Sequence, residues 1–582
     1  MRALLLLLLL AAAVAAVPAR WERVESAVRD ADDDLLPLTF LIQQPRIAEL
    51  RDLVDEISNP KSPMFRRWLT DKQVGEYVRA PESTIAITEL LYRLGASDVT
   101  VHYRGEFVSA SLPRDRAESL LHVHLDLYRD SVTGREVWRD PTFTVPEPLR
   151  AHVTHVLGVG NFPTELVRLD TTCSPANTVC IDSLISFYGI SDAVRTAGAE
   201  AVSIFNDAAS GQYYSSSDLL SYLSIFAPGA SIAVRVDGDN SGGASCGAAC
   251  SEAALDAQTV GGIAFRGTIE MFMSQGIVGS DSLFDFFAVV QNIKAAMNLD
   301  SLVASISYGG EEASNDAGYI QAMENEAIKA AALGITIVAA SGDWGVQGYS
   351  SHCGVFRPLM PASLPHVLAV GATRGVEAGV AETTCSYVAG EEGGPLITSG
   401  GGFSTLFPRP SYQNAAVAAY NAATANSSFA PLSSQYAASG RAYPDIAAAG
   451  HAFPLVLTGS TVYADGTSAS APLVAAQLAL MNKQLKISNQ APVGFINPFL
   501  YSLPASNFND VTVGDNRCGD YTQSCCASGF AAVAGWDPVT GLGSMKFDSV
   551  LASALGTYAA ITYSSTPRSN ANSVRWIGDI IY

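Results

Sequence analysis

Ser468 stands in Gly466-Thr467-Ser468-Ala469-Ser470-Ala471-Pro472, a small-residue turn that runs into an apolar, helix-like stretch. Such a turn presents a hydroxyl, but a hydroxyl becomes a nucleophile only when a base removes its proton. A Ser-His-Asp triad with its histidine upstream finds no candidate, because no histidine lies between Cys173 and His352. That region carries Glu252-Ala253-Ala254-Leu255-Asp256 instead. On a helix, four-residue spacing places both carboxylates on one face. Such pairs are common on solvated faces, yet this run is dominated by Ala, Leu, Val, Gly and Ile and reads as a buried helix. Two carboxyls held close in low dielectric share a proton, which makes Glu252 a candidate base for Ser468 and Asp256 its orienting partner. Asp343, in Ser341-Gly342-Asp343-Trp344-Gly345, is either a plain turn residue or, placed beside Ser468, a protonated donor to the oxyanion of a tetrahedral intermediate. The second role requires acid, because only the neutral carboxyl donates.

Apolar runs at Ala201 to Asn206, Ser231 to Val236, Leu302 to Ser307, Ile335 to Ala340 and Val367 to Val370 alternate with helix-like stretches at Glu252 to Phe272 and Tyr319 to Leu333. That order predicts an α/β domain, a parallel sheet with helices on both faces. Chemistry in such sheets gathers in loops past the strands' carboxyl ends, and Asp343 follows Ile335 to Ala340. Before residue 165 the texture differs: helix-like stretches at Ile47 to Ile57 and Pro81 to Leu94, with strand-like ones at Val99 to Leu112 and Leu120 to Tyr128, predict a small α+β domain. Residues 166–185 read as a linker, and the polar, irregular residues 557–582 as a tail.

The chain has 582 residues, 48% of them hydrophobic, and a net charge of −21, enough apolar material for at least one large core. From residue 171 onward 15 Lys and Arg face 31 Asp and Glu, which argues against a nucleic-acid partner and suits work in acid, where carboxylates are protonated. Met1-Arg2, a leucine run and an Ala-rich end near Ala16 read as a secretory signal over residues 1–16 rather than a stable membrane anchor. Nine cysteines in an exported chain should mostly pair, leaving at least one over. Cys246 and Cys250 suit a local disulfide better than half a zinc site. Asn426-Ser427-Ser428 is a glycosylation sequon.

Together these segments resemble the sedolisin family of serine-carboxyl peptidases. Glu252-Ala-Ala-Leu-Asp256, Ser341-Gly-Asp343 and Gly466-Thr-Ser468 resemble that family's base, oxyanion and nucleophile segments in its order. Ser399-Gly-Gly-Gly-Phe-Ser404 and Tyr443-Pro-Asp445-Ile are further similar runs, and Asn59-Pro-Lys-Ser-Pro63 through Trp68-Leu-Thr70 resembles the activation prodomain. The resemblance implies a subtilisin-like sheet over residues 186–556, preceded by a prodomain over 17–165 that inhibits the same chain. It further implies an acid-active zymogen that cleaves peptides or proteins through an acyl-enzyme on Ser468, as tripeptidyl-peptidase or endopeptidase. Glu252 would be the base, Asp256 its partner and Asp343 the oxyanion donor. The expected location is secreted or the lumen of a lysosome or vacuole. A catalytically silent binding protein on the same fold is the alternative; loss of one of the four residues would mark it, and all four are present.

The resemblance also implies a Ca2+ site with side-chain ligands Asp510 and Asp537 and backbone carbonyls of Val511, Val533 and Gly535. Val533 stands where the family tends to have glycine, a departure that a required positive φ would penalise. Asp465 is a second departure, where a small neutral residue is usual. It is expected to point outward; pointing inward, it would raise neighbouring carboxyls. His102, His122, His124, His152 and His155 lie in the prodomain, where acid would charge them and loosen its hold.

Overall fold

The computed structural model describes residues 17, 20–24, 35–131, 134–162, 178–245, 250–274 and 282–564. The signal-like segment 1–16, Cys173, Cys246, most of the linker and residues 565–582 lie outside the described residues.

The alternating pattern folds into parallel strands β1 (Ala201–Asp207), β2 (Ser231–Gly238), β3 (Arg266–Ser274), β4 (Leu302–Ile306), β5 (Ile335–Ala340), β6 (Leu368–Arg374) and β7 (Ile446–Ala449). Their order across the sheet is β2-β3-β1-β4-β5-β6-β7, every neighbouring pair parallel. Ser544–Met545 extends the sheet beside β7, and Phe508–Asn509 closes that edge antiparallel. β1 and β4 are buried along their whole length, as strands covered on both faces must be. One face is covered by helices α1 (Ser251–Ala264), α4 (Thr467–Ile487) and α5 (Phe547–Ser564), the other by α2 (Ser282–Ala296) and α3 (Ala317–Ala332). Strand order reverses between β1 and β4, so a crevice opens past their carboxyl ends.

Four expectations are corrected. The helix expected over Glu252 to Phe272 stops at Ala264, where Phe265 adopts a φ of 61°, and the chain turns into β3. The strand expected over Leu120 to Tyr128 is the end of a helix, Arg114–Leu121, whose Ala117 and Leu121 are buried four residues apart, followed by Asp126–Asp130. The linker ends early: Val179 and Ile181 are already in the core and Ile181–Tyr188 is helical. The expected tail boundary at 556 falls inside α5.

The N-terminal domain is α+β. Its four-stranded antiparallel sheet runs Ser97–His102, Phe107–Pro113, Leu35–Ile42, Val153–Leu157, with helices Ile47–Ser58, Asp71–Val78 and Pro81–Arg93 beside it. It docks on the α2/α3 side, where Leu50 and Val54 share a core with Ile320, Ala327 and Ile328. Trp68 is seated between Gly334 and Gly494; a Cβ on either would fall within 2.6 Å of the indole, and the indole N–H donates to the Pro492 carbonyl. Deeper in the interface the fully buried Lys329 pairs with Glu106 of the N-terminal domain and, at 2.5 Å, with Glu326. Arg104 joins Glu106 at 2.9 Å. Buried charges on both sides hold the docking only while paired.

Candidate active site

α1 is buried from Ser251 to Ala264, so its four-residue spacing turns Glu252 and Asp256 inward together. Ser468 lies in the first turn of α4 and is 6% exposed. Pro472 has no N–H to give the carbonyl four residues back. That Ser468 carbonyl accepts from the Ser307 hydroxyl at 3.3 Å instead. Ser307, immediately past β4 in the crevice, is closer to Asp256, its hydroxyl 2.6 Å from Oδ1. Its own carbonyl accepts from Ser468 Oγ at 3.4 Å.

Glu252 lies against the Ser468 hydroxyl and faces Asp256 and Asp343. Burial, then the charges of Asp256 and Asp343, push the Glu252 carboxyl well above the usual range; the hydrogen bond with Ser468 pulls the other way. Burial pushes Asp256 up too, against the Ser307 hydrogen bond. Glu252 Oε1 and Asp256 Oδ2 are buried without a hydrogen-bond partner. Two carboxyls in this state hold a proton between them.

Asp343 reaches the site because Gly342 turns the chain at a φ of 103°, with no room for a Cβ, which would fall 2.2 Å from Leu359. Its Oδ1 accepts from Thr467 N–H at 2.8 Å and Thr467 Oγ1 at 2.9 Å. Burial pushes Asp343 up to about 6 against those bonds, with Asp465 and Asp520 adding in the same direction. The glycine run braces this turn from behind: Thr398 N–H donates to the Asp343 carbonyl and Gly400 N–H to the Gly342 carbonyl.

The structure thus brings Glu252, Asp256, Asp343 and Ser468 into one site. Asp465 corrects the outward expectation: it is 2% exposed and bonded to His451, because it accepts N–H groups from Ala452 and Leu396 that close the turn before the nucleophile. Sequence reasoning missed Ser307, whose signal was its place at the carboxyl end of a recognisable strand. It also missed His451. That histidine engages Asp465 through Nδ1 and the Gly393 carbonyl through Nε2, so both ring nitrogens are committed away from Ser468.

The second group of residues lies in the loops around 510 and 537. Asp537 is wholly buried, and its oxygens accept N–H groups from Val533, Val539 and Thr540. Burial nevertheless pushes its carboxyl up to about 7, against those hydrogen bonds. Asp510 Oδ2 accepts the Gly535 N–H at 2.9 Å, tying both aspartates to one short segment. Positive φ falls on Gly535, at 84°, and not on Val533, so valine carries no penalty there. Among the described residues no group of three or more His, Cys, Asp or Glu converges, so a cation here depends on carbonyl oxygens as well. The donor set fits a hard cation. Nearby loops are stapled by Cys353–Cys526 and Cys518–Cys525. Cys250 is disulfide-bonded, while Cys385 is a buried free thiol.

Comparison with known proteins defines the class. A model described as "Pro-kumamolisin, activation domain" matches residues 19–162, and a subtilase family model matches residues 230–492. The chain is therefore a serine peptidase of subtilisin-like fold that carries an activation prodomain. Human tripeptidyl-peptidase 1 is 32% identical over 565 residues, covering 92% of this chain and 94% of that protein. Physarolisin of Physarum polycephalum is 31% identical over 583 residues, covering 92% of this chain and 96% of its own length. The solved Pseudomonas sedolisin, a serine-carboxyl proteinase, aligns at 24% identity and a TM-score of 0.49 over 65% of this chain and 98% of its own, too loosely to bear on the site. On the full-length relatives, the chain belongs to the sedolisin family of serine-carboxyl peptidases.

Ser307 offers a direct check of the carboxyl pair. Its hydrogen bond favours ionised Asp256, so Ser307→Ala should make the pair hold its proton more tightly and move the acid limb of kcat/KM to higher pH, with roughly tenfold lower kcat. An acid limb that stays in place would remove Ser307 from the site's machinery.

Proposed function

We propose that this chain is an acid-active peptidase that works through an acyl-enzyme on Ser468. The observation that supports this most is the buried meeting of Ser468 with Glu252, Asp256 and Asp343, none of them served by a histidine. As Ser468 Oγ bonds to the substrate carbonyl carbon, Glu252 takes the hydroxyl proton, and Asp256 orients it and shares the charge. The carbonyl oxygen gains the negative charge and accepts a hydrogen bond from protonated Asp343, whose Oδ1 is already occupied by Thr467, leaving Oδ2 to donate. Glu252 hands its proton to the leaving amine as the C–N bond breaks. Water then attacks the ester by the same path in reverse. Asp343 is neutral below about 6, so activity is lost on the alkaline side as pH rises through that value.

The prodomain would hold the enzyme silent until acid releases it. Of the five prodomain histidines, it is His155 that meets a peptidase carboxylate, Asp316, at 3.4 Å. Burial lowers its proton affinity, outweighing Asp316. A histidine kept neutral by docking stabilises the docked state above its ordinary value of about 6.5, and that contribution is lost as pH falls below it. Cleavage then belongs N-terminal to Val179, which is already part of the peptidase core. The human relative's name favours removal of tripeptides from a free amino terminus; internal cleavage is the second reading. The leader-like N-terminus and the exposed sequon at Asn426 support export, either to the outside or to an acidic lumen such as a lysosome or vacuole. Among the described residues no helix is long and apolar enough to cross a membrane.

Acidifying the purified proform should yield activity, and Ser468→Ala should abolish both maturation and turnover, while His155→Gln should mature more slowly. A tripeptidyl-peptidase turns over a free-amine tripeptide substrate and fails on the amino-blocked one; an endopeptidase cleaves an internally quenched peptide. Full activity in Ser468→Ala would overturn the reading.

Ca2+ would be held by Asp510 and Asp537 with the carbonyls of Val511, Val533 and Gly535, neutralising the buried Asp537 and fixing the loop that carries it. Chelation should lower Tm by several degrees, since saturation at 100-fold over Kd contributes about 2.7 kcal/mol, and Ca2+ should restore it. No change on chelation would count against the site.

A further inference from the structure

His451 follows β7, and Asp465 directly precedes Gly466 and the nucleophile helix α4. Between them runs a hairpin, Phe453–Leu457 with Ser460–Ala464, whose open end the two side chains close. His451 Nδ1 lies 2.7 Å from Asp465 Oδ1, and Nε2 lies 3.2 Å from the Gly393 carbonyl. Both partners are acceptors. A neutral imidazole has one N–H and can satisfy only one of them, so the geometry calls for the imidazolium. Asp465 in turn accepts from Ala452 N–H at 2.8 Å and Leu396 N–H at 2.9 Å. The pair therefore ties three segments to the turn that presents Ser468: the end of β7, the hairpin and the loop at 393–396. That same loop continues to Thr398, whose N–H braces Asp343.

We propose that His451 and Asp465 are positioning residues of the active site, an ion pair that sets the upper pH at which Asp343 still donates its proton. The proposal rests on the assignment of Asp343 as oxyanion donor.

Asp343 faces Asp465, Asp520 and Glu252, and the neutral Cys385 thiol faces both Asp343 and Asp465. Asp520 is tied up by Trp344 Nε1 and Thr522. Asp465 and Glu377 face His451. Arg374, which faces Cys385, is paired to Glu391 at 2.7 Å. His451 is the cation bonded directly to Asp465. Burial works against both charges of the pair, yet their mutual attraction wins: His451 is held above its ordinary value, helped by Glu377, and Asp465 below its own, helped by the two backbone N–H groups. The pair stays ionic throughout an acidic working range. Asp465 then presents Asp343 with a charge that His451 partly cancels. Removing the anion makes Asp343 release its proton sooner; removing the cation makes it hold on longer.

Opposite shifts from two neighbouring residues are what a merely structural pair would not produce. In acid-matured enzyme, the alkaline limb of kcat/KM should move down by about 0.5–1 pH unit in Asp465→Asn and up by a similar amount in His451→Gln. The double variant should follow Asp465→Asn, because without that anion burial also strips the charge from His451. Asp343→Asn, which donates without titrating, belongs in the same series. If it leaves the limb in place, the limb is not Asp343's, and the oxyanion assignment fails. If it removes the limb while Asp465→Asn and His451→Gln leave it where it is, or move it the same way, the role of the pair is overturned and the assignment stands. Should Asp465→Asn fail to mature, His451→Gln decides alone: an upward shift supports the pair, and no shift or a downward one refutes it.

Discussion

Everything in this active site follows from placing three carboxyls and a serine where water is largely excluded. Burial is the first cause raising Glu252, Asp256 and Asp343. Carboxyls that cannot ionise cheaply keep protons at a pH where exposed ones have lost them. On the proposed mechanism one such group would donate its proton to a developing oxyanion, and a coupled pair that holds a single proton would serve as the base. A histidine base would lose its function in acid by becoming charged; a buried carboxyl base is suited to it.

The fold supplies this burial economically. The reversal of strand order between β1 and β4 opens the crevice, and Ser307 enters it from the end of β4. α1 delivers its two acids as neighbours on one face, while Pro472 frees a carbonyl in the nucleophile helix for Ser307 to bond. Gly342 lets Asp343 swing back to Thr467. The prodomain docks mainly over the α2/α3 side, through Trp68 and the buried charges around Lys329, while its Arg66 also reaches the Ala554 carbonyl of α5.

Much of this was legible in the chain. β5 coincides with the run read as a strand, Ile335 to Ala340, because a short apolar segment bounded by glycines has few alternatives. Glu252 and Asp256 stood out because an acidic pair is costly in so apolar a run. Glu252 to Phe272 was misread as one helix because α1 and β3 share an apolar composition, and only the backbone reversal at Phe265 separates them. Asp465 was misplaced because its direction depends on His451, fourteen residues away across a hairpin. Ser307 was passed over because a serine at a strand end is ordinary until its neighbours are known.

The central claim is that acids in this site keep their protons well above the usual carboxylate range. Infrared difference spectra of the mature enzyme between pH 4 and 7, taken for the native protein and for Glu252→Gln and Asp343→Asn, would observe the protonated carboxyl stretch directly. The account predicts bands that persist to about pH 6, one of them absent from Asp343→Asn and the coupled pair altered in Glu252→Gln. Absence above about pH 4.5, the ordinary range of Asp and Glu, of any band that Asp343→Asn or Glu252→Gln removes or alters would contradict it.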